Sequence, residues 1–291
     1  MEILVPEEIR SLHPFYNLGG VKAALWTPQD GHLDPATATF ALAAGARQAG
    51  ATVVRQNRVT GIRRESNHEW RVVTEQGDYL CEHVVNAGGT YARQIGRWSG
   101  LNLPITCMTH HYLVTDTVPE FVDLDKELPV VRDDRLVSGY IRMEQKSGLI
   151  GIYEKANPNN VWLDGTPWEA ESELFDPDYD RTMPRLENSM ERMPILVNLG
   201  IKREVHGAIT HPPDGNMLLG PAPGLQNYWC CNGCQIGIGW GPGAGKYLAQ
   251  WMVHGDSEIN MHEFDPRSAM DVSPEERLEQ YERLWQKSGF A

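Results

Sequence analysis

The sequence predicts an α+β fold of two lobes: an α/β lobe with an antiparallel sheet inserted into it. Three observations carry that reading. Helical and strand patterns alternate along residues 1–98. Strand-like runs without helices between them follow, from His110 to Tyr153. Near the end, an apolar run, Tyr228 to Cys231, leads through five alternating glycines (Gly237, Gly239, Gly241, Gly243, Gly245) into an amphipathic helix that closes at His254. Glycine lets a backbone turn tightly and approach a ligand closely. The first turn of a helix leaves N–H donors free and carries partial positive charge. Together these features predict a site for an electron-rich or anionic group. The structural alternative is a tight helix–strand turn. Five alternating glycines argue against it, because they cost backbone entropy for no packing gain.

The elements follow in order. Pro6 opens a short helix with acidic residues in its first turn. Val21–Trp26 reads as a strand, and Asp34 caps a helix that begins at Pro35 and runs to about Ala49. Ala51–Arg55, Arg58–Glu65, Glu69–Glu75 and Tyr79–Asn86 read as strands, with a hairpin turn at Gln76-Gly77. Thr90–Trp98 is a helix entered through Gly88-Gly89. His110–Thr115, Val130–Val131, Ser138–Glu144 and Gly148–Tyr153 form the antiparallel sheet. Asn157–Tyr179 is a long polar loop that lines a pocket or forms a lid. Asp178–Met193 is a helix, Lys202–Thr210 a strand, and His211–Gly224 loop-rich. Ser273–Ser288 reads as a charged terminal helix.

Composition bounds the function. A chain of 291 residues, 41% hydrophobic, supports one large domain or two smaller ones. The net charge of −13, with no Lys/Arg cluster, argues against nucleic-acid binding. No apolar run is long enough to span a bilayer, and the start, MEILVPEEIRSLHP, does not read as a signal peptide. Five cysteines form no disulfide framework and suggest a reducing compartment. The expectation is a cytoplasmic protein without a membrane partner. Cys231-x-x-Cys234 has redox or zinc spacing, but Cys81 and Cys107 supply no second pair. We therefore expect no metal, and read these cysteines as small apolar residues at a packed strand end.

Seven segments in one order carry a resemblance: 28–51, HVVNAGGTYARQIG at 83–96, HHYLVTD at 110–116, YIRMEQKSGLIGIYE at 140–154, HPPDGNMLLGPAPGLQNYW at 211–229, the glycine turn, and EFDPRSA at 263–269. They resemble the FAD-dependent oxidoreductases of the D-amino-acid oxidase type, and within them the dimethylglycine and sarcosine dehydrogenase branch. The resemblance implies a FAD-binding lobe over 1–105 and 211–270, a substrate lobe over 106–210, and a tail over 271–291. That tail is similar to the linker before a folate-binding domain in longer relatives. The resemblance further implies oxidation of an N-methyl amino acid, with hydride passing from the N-methyl carbon to the flavin. Electrons then go to a carrier protein or to oxygen.

By the same resemblance, Asn86, Ala87 and Gly88 end a strand near the dinucleotide, and Val59 passes closest to the adenine. Gly215, with Gly237, Gly239, Gly241 and Gly243, cradles the isoalloxazine. His32 reaches toward the flavin. Tyr140 and Arg142 share one strand face, and Arg142 pairs with the substrate carboxylate through a two-bond fork. Ordinary structural roles compete with each assignment: a turn histidine, a surface arginine, a plain strand end. His110 and His111 face opposite sides of their strand, and His206 and His211 are further candidates. Trp240 stands where some oxidases carry a lysine, which favours the dehydrogenase branch. The chain departs from the family in lacking G-x-G-x-x-G; its nearest match is Gly239-x-Gly241-x-x-Ala244. The relatives' early flavin-linking histidine has no counterpart. The resemblance thus implies a missing N-terminal segment, as a truncated reading frame, a split subunit or a wrong start site would give, with a complementary N-terminal subunit or a homo-oligomer as the expected partner. The alternative is a non-catalytic fragment.

Overall fold

The computed structural model describes residues 1–153, 159–171 and 173–269. In chain order the elements are β1 (Glu2–Leu4), α1 (Pro6–Leu12), β2 (Ala24–Trp26), α2 (Pro35–Gln48), β3 (Val59–Arg64), β4 (Trp70–Thr74), β5 (Gly77–Cys81), β6 (Val84–Asn86), α3 (Ala92–Trp98) and β7 (Thr106–Thr117). There follow α4 (Pro119–Val122), β8 (Val131–Asp133), β9 (Gly139–Glu144), β10 (Ser147–Ile152), β11 (Asn160–Val161), α5 (Tyr179–Arg192), β12 (Ile201–His211), β13 (Leu218–Pro221), β14 (Tyr228–Asn232), α6 (Gly241–His254) and α7 (Pro266–Ala269).

Strand β7 is the hub of the inserted sheet. It pairs antiparallel with β10, β11 and β12, and β10 continues through β9 to β8. Side chains alternate faces along a strand, so one face carries Leu113, Ile141, Met143, Ile150 and Ile152 into a core closed by Leu186 of α5 and by Leu196. The other lobe contains the sheet β3-β4-β5 and the sheet β13-β14-β6, in which β14 and β6 run parallel. Trp70 and Tyr228 meet edge to face between these two sheets, at 5.4 Å, within a core that includes Leu103 and Leu218. Helix α6 packs Ala244 and Leu248 on Met217 and Leu219.

Local signals placed most of these elements. The Asp34 side chain accepts a bond from the Thr37 N–H at 2.7 Å and caps α2, with Pro35 at its first position. Asp178 caps α5 through the Arg181 N–H. Differences have physical causes. Residues 51–55 are exposed and form no strand, because no neighbour pairs with their backbone. The run Tyr79–Asn86 breaks at Glu82-His83: β5 joins β4, whereas β6 joins β14 in another sheet. The hairpin turn is Glu75-Gln76, since Gly77 already pairs with Thr74. β1 pairs with β2, and β13 lies inside the stretch read as loop. The helix expected over Ser273–Ser288 falls outside the described residues.

The long polar loop is a strap over its residues 159–171. Trp168 stacks between Tyr91 and Trp98, each at 5.3 Å, with Arg58 over its ring. The Thr166 N–H donates to Gln94 Oε1 and Gln94 Nε2 donates to Thr166 O, both at 2.8 Å. These contacts fasten the strap to α3.

Arg192, at the end of α5, ties the first residues to the lobe of the inserted sheet. Its Nε meets Asp133 Oδ2 at 2.8 Å, and its Nη1 donates to the carbonyls of Asn17 and Gly19 at 3.0 and 2.7 Å. Both side chains of the ion pair are largely buried. Arg192→Leu leaves Asp133 buried without its partner and costs about 3–5 kcal/mol. Urea unfolding of the two proteins checks this, and an unchanged midpoint would refute it.

Candidate active site

The second face of the inserted sheet gathers the polar aromatic residues. Tyr140 and Arg142 occupy alternate positions of β9, and Tyr140 pairs in register with Gly151, which pairs in turn with Tyr112. One step along, His110 of β7 lies opposite Gly207 of β12. The His110 ring stacks on Tyr153 at 4.9 Å and lies 6.4 Å from Tyr140. Tyr140 and Tyr153 are 6.0 Å apart, and Arg132 caps Tyr153 at 5.2 Å. Burial pushes His110 down to about 4, reinforced by the neighbouring histidines His111, His211 and His206, so the imidazole is neutral at pH 7. Burial likewise pushes Tyr140 up to about 12, with Tyr153 adding to the shift.

His211 ends β12 on this same face, opposite Thr106, and the chain continues into the turn Pro212–Gly215. Gln235 Nε2 donates to Gly215 O at 2.9 Å, which joins that turn to the glycine-rich one. Gly233 is glycine because a Cβ there would strike Pro212. Beyond it the requirement changes. Gly237 has φ 65°, and a Cβ on Gly237, Gly241 or Gly245 would meet nothing within 4 Å. Helix α6 starts here, and its first return bond runs from the Ala244 N–H to Trp240 O at 2.9 Å. The N–H groups of Gly241 and Gly243 precede that bond and remain free of the helix ladder.

The predicted residues separate into groups. Tyr140, Arg142, His110 and His211 lie on one sheet face. Arg142 bonds Glu144 at 2.7 Å and its own strand's Met143 carbonyl, so any incoming carboxylate competes with Glu144. His111 faces the other side and stacks on His206 at 3.8 Å. His206 borders a cavity of about 480 Å³ lined also by Asn159, Phe175 and Asp178. His32 pairs with Glu127 at 3.2 Å, a partner outside the aromatic group. Asn86 is buried and knits the parallel strands: its Nδ2 donates to Ala92 O, its Oδ1 accepts from the Gly88 N–H, and Asn232 Nδ2 donates to its carbonyl. Ala87 is exposed, and Val59 is half-buried at the start of β3. Cys231 and Cys234 are free thiols raised by burial, packed beside Met217 and Leu219. Among the described residues no three His, Cys, Asp or Glu side chains cluster to hold a metal. Sequence reasoning did not single out Tyr112, Tyr153 or Gln235. Tyr153 follows β10 two positions after Gly151, a spacing that marked it, whereas Gln235 gave no signal before folding.

The family model described as FAD dependent oxidoreductase (DAO) matches residues 1–251. Mitochondrial dimethylglycine dehydrogenase of Homo sapiens is 39% identical over 268 residues, which cover 91% of this chain and 31% of that one. Mitochondrial sarcosine dehydrogenase of Mus musculus is 35% identical over 276 residues, 91% of this chain and 29% of that one. The crystal structure of L-proline dehydrogenase from P. horikoshii superposes with a TM-score of 0.76 at 25% identity, covering 91% of this chain and 67% of that one. The chain belongs to the FAD-dependent oxidoreductases of the D-amino-acid oxidase type. It spans about a third of the length of the curated relatives it matches.

The residues present fit one end of that family's cofactor. Gly237, Gly241 and Gly245 leave unfilled the space that a Cβ would take. Asn232 Oδ1, at the base of the turn, is buried without a hydrogen-bond partner among the described residues. Donors at the α6 terminus suit an electron-rich ring edge. The sequence G-x-G-x-x-G, which cradles a diphosphate, does not occur in the chain.

Buried neutral histidines also set the pH response of the fold. His13, His110, His111 and His211 are each pushed from 6.5 to about 4 by burial. Between those values the unfolded chain binds more protons than the folded one, so stability rises with pH and is lost as pH falls through the window. Thermal unfolding at about pH 7 and about pH 4.5 tests this: Tm falls at the lower pH, and His13→Phe flattens the slope. A slope unchanged in His13→Phe would remove that residue from the account.

Proposed function

We propose that this chain forms the substrate-binding lobe and the flavin-ring cradle of a FAD-dependent amine oxidoreductase acting on a small N-methylated amino acid. One observation carries the reading: His211 ends the aromatic sheet face and runs into the turn that Gln235 fastens to the open glycine cradle. Substrate-facing and cofactor-facing groups thus sit on one continuous backbone. The two relatives described above are named for dimethylglycine and sarcosine, which supports that substrate class.

FAD, when bound, supplies the two-electron acceptor for oxidation of the amine. The chain's own residues do the rest. Arg142 and Tyr140 orient the carboxylate end of the substrate, Arg142 exchanging Glu144 for it. Tyr140, Tyr153 and His110 present apolar ring surface to the N-methyl groups and exclude water. His110, neutral at pH 7, adds no positive charge against the amine. The free N–H groups of Gly241 and Gly243 stabilise negative charge on the ring edge at the helix terminus.

The reading includes a partner. Helix α2 buries none of its residues and exposes Phe40 and Leu42. Val53 and Val54 are exposed beside it in sequence, and β6 pairs on only one edge. A helix of this length is marginal in water by itself. A polypeptide segment that adds a strand to β6 and covers α2 would complete the lobe, from a complementary subunit or a second copy.

Uptake of FAD by the purified chain, followed by anaerobic addition of N,N-dimethylglycine or sarcosine, tests the proposal. Retained flavin that bleaches with either amine supports it; retained flavin unmoved by both refutes the substrate class. Gly241→Leu gives a finer check. A Cβ meets nothing within 4 Å there, so Tm stays unchanged, while FAD affinity falls about tenfold or more because the cradle is filled. Equal FAD affinity in Gly241→Leu would remove the turn from the cofactor site.

A further inference from the structure

Gly151 stands in the interior of β10, where glycine costs about 0.5–1 kcal/mol relative to alanine. Its backbone lies outside the left-handed region, so conformation does not demand glycine there. Space does. A Cβ on Gly151 would fall inside the Tyr140 ring, against Cζ, Cε1 and Oη. The cross-strand partner therefore lies flat over the Gly151 backbone. Tyr112, the partner on the opposite side, flanks the same notch. Tyr140 Oη has no hydrogen-bond partner among the described residues. The seat on Gly151 and the neighbouring rings of His110 and Tyr153 hold the phenol.

We propose that Gly151 is a positioning residue that sets the width of the amine site by letting the Tyr140 ring lie down on the sheet. This rests on the proposed function only for the identity of the amine. With a Cβ at position 151 the ring cannot keep its seat. It is the far end of a rotatable side chain, so it swings away from the sheet rather than forcing the strands apart. The ring then enters the volume above His110 and Tyr153. A tertiary amine with two N-methyl groups needs more of that volume than a secondary amine with one. Gly151 thereby favours the bulkier substrate.

The test uses the full chain with FAD, labelled with meta-fluorotyrosine, in four forms: unchanged, Gly151→Ala, Tyr140→Ala, and both. The fluorine resonance lost in Tyr140→Ala assigns Tyr140. In Gly151→Ala that resonance shifts. KM for N,N-dimethylglycine rises about tenfold, KM for sarcosine rises less, and kcat changes little. In the Tyr140→Ala background the added Gly151→Ala leaves KM within about twofold, because no ring remains to displace. An unmoved Tyr140 resonance in Gly151→Ala overturns the proposal, as does an equal KM penalty with and without Tyr140. A shifted resonance in a chain that oxidises neither amine overturns the assigned amine, and with it the proposed function, while upholding the seat of the ring.

Discussion

The period-two alternation of β7 is the constraint on which the rest of the inserted sheet depends. One strand of 12 residues pairs on both edges, and its two faces have opposite tasks. Leu113 and its cross-strand neighbours face α5 and form the core. His110 and Tyr112 face the other way, toward Tyr140 and Tyr153. A slip of one residue would exchange the two sets and destroy both core and site. The bulge in β10 between Ser147 and Leu149 lies outside the stretch where Gly151 meets Tyr140, so the register there holds.

Close packing at some positions and open space at others explain the distribution of glycine. At Gly151 and Gly233 glycine makes room for a neighbour within the chain. At Gly237 and Gly241 no neighbour exists, and the space is open. The same residue type thus serves two purposes, and only the surroundings separate them. Asn86 shows the converse. Its side chain and carbonyl bond Ala92, Gly88 and Asn232. Its work is to join β6 to β14 and to the start of α3, which places the strand ends beside the glycine turn.

The fold was legible where local chemistry is strong. Asp34-Pro35 marked the start of α2, and Tyr140 and Arg142 revealed a shared face through their spacing. Legibility failed where a partner decides the outcome. Residues 51–55 have the composition of a strand, but a strand forms only against another, and none pairs with it here. His32 sits in a recognisable turn, yet its partner Glu127 is distant in sequence. Gln235 lies in a stretch dominated by glycines, and its bond to Gly215 exists only once two loops have met.

The sequence by itself determined the mixed helix and sheet architecture and the strand–glycine–helix unit at residues 228–254, because periodicity, capping and glycine spacing are local properties, and the order of its segments carried the likeness to the family. Tertiary structure alone decided which ring lies on which strand: Tyr140 over Gly151, Tyr153 against His110, Arg142 bonded to Glu144. Those choices depend on register and on the volume left by neighbours far along the chain, and no local pattern encodes either.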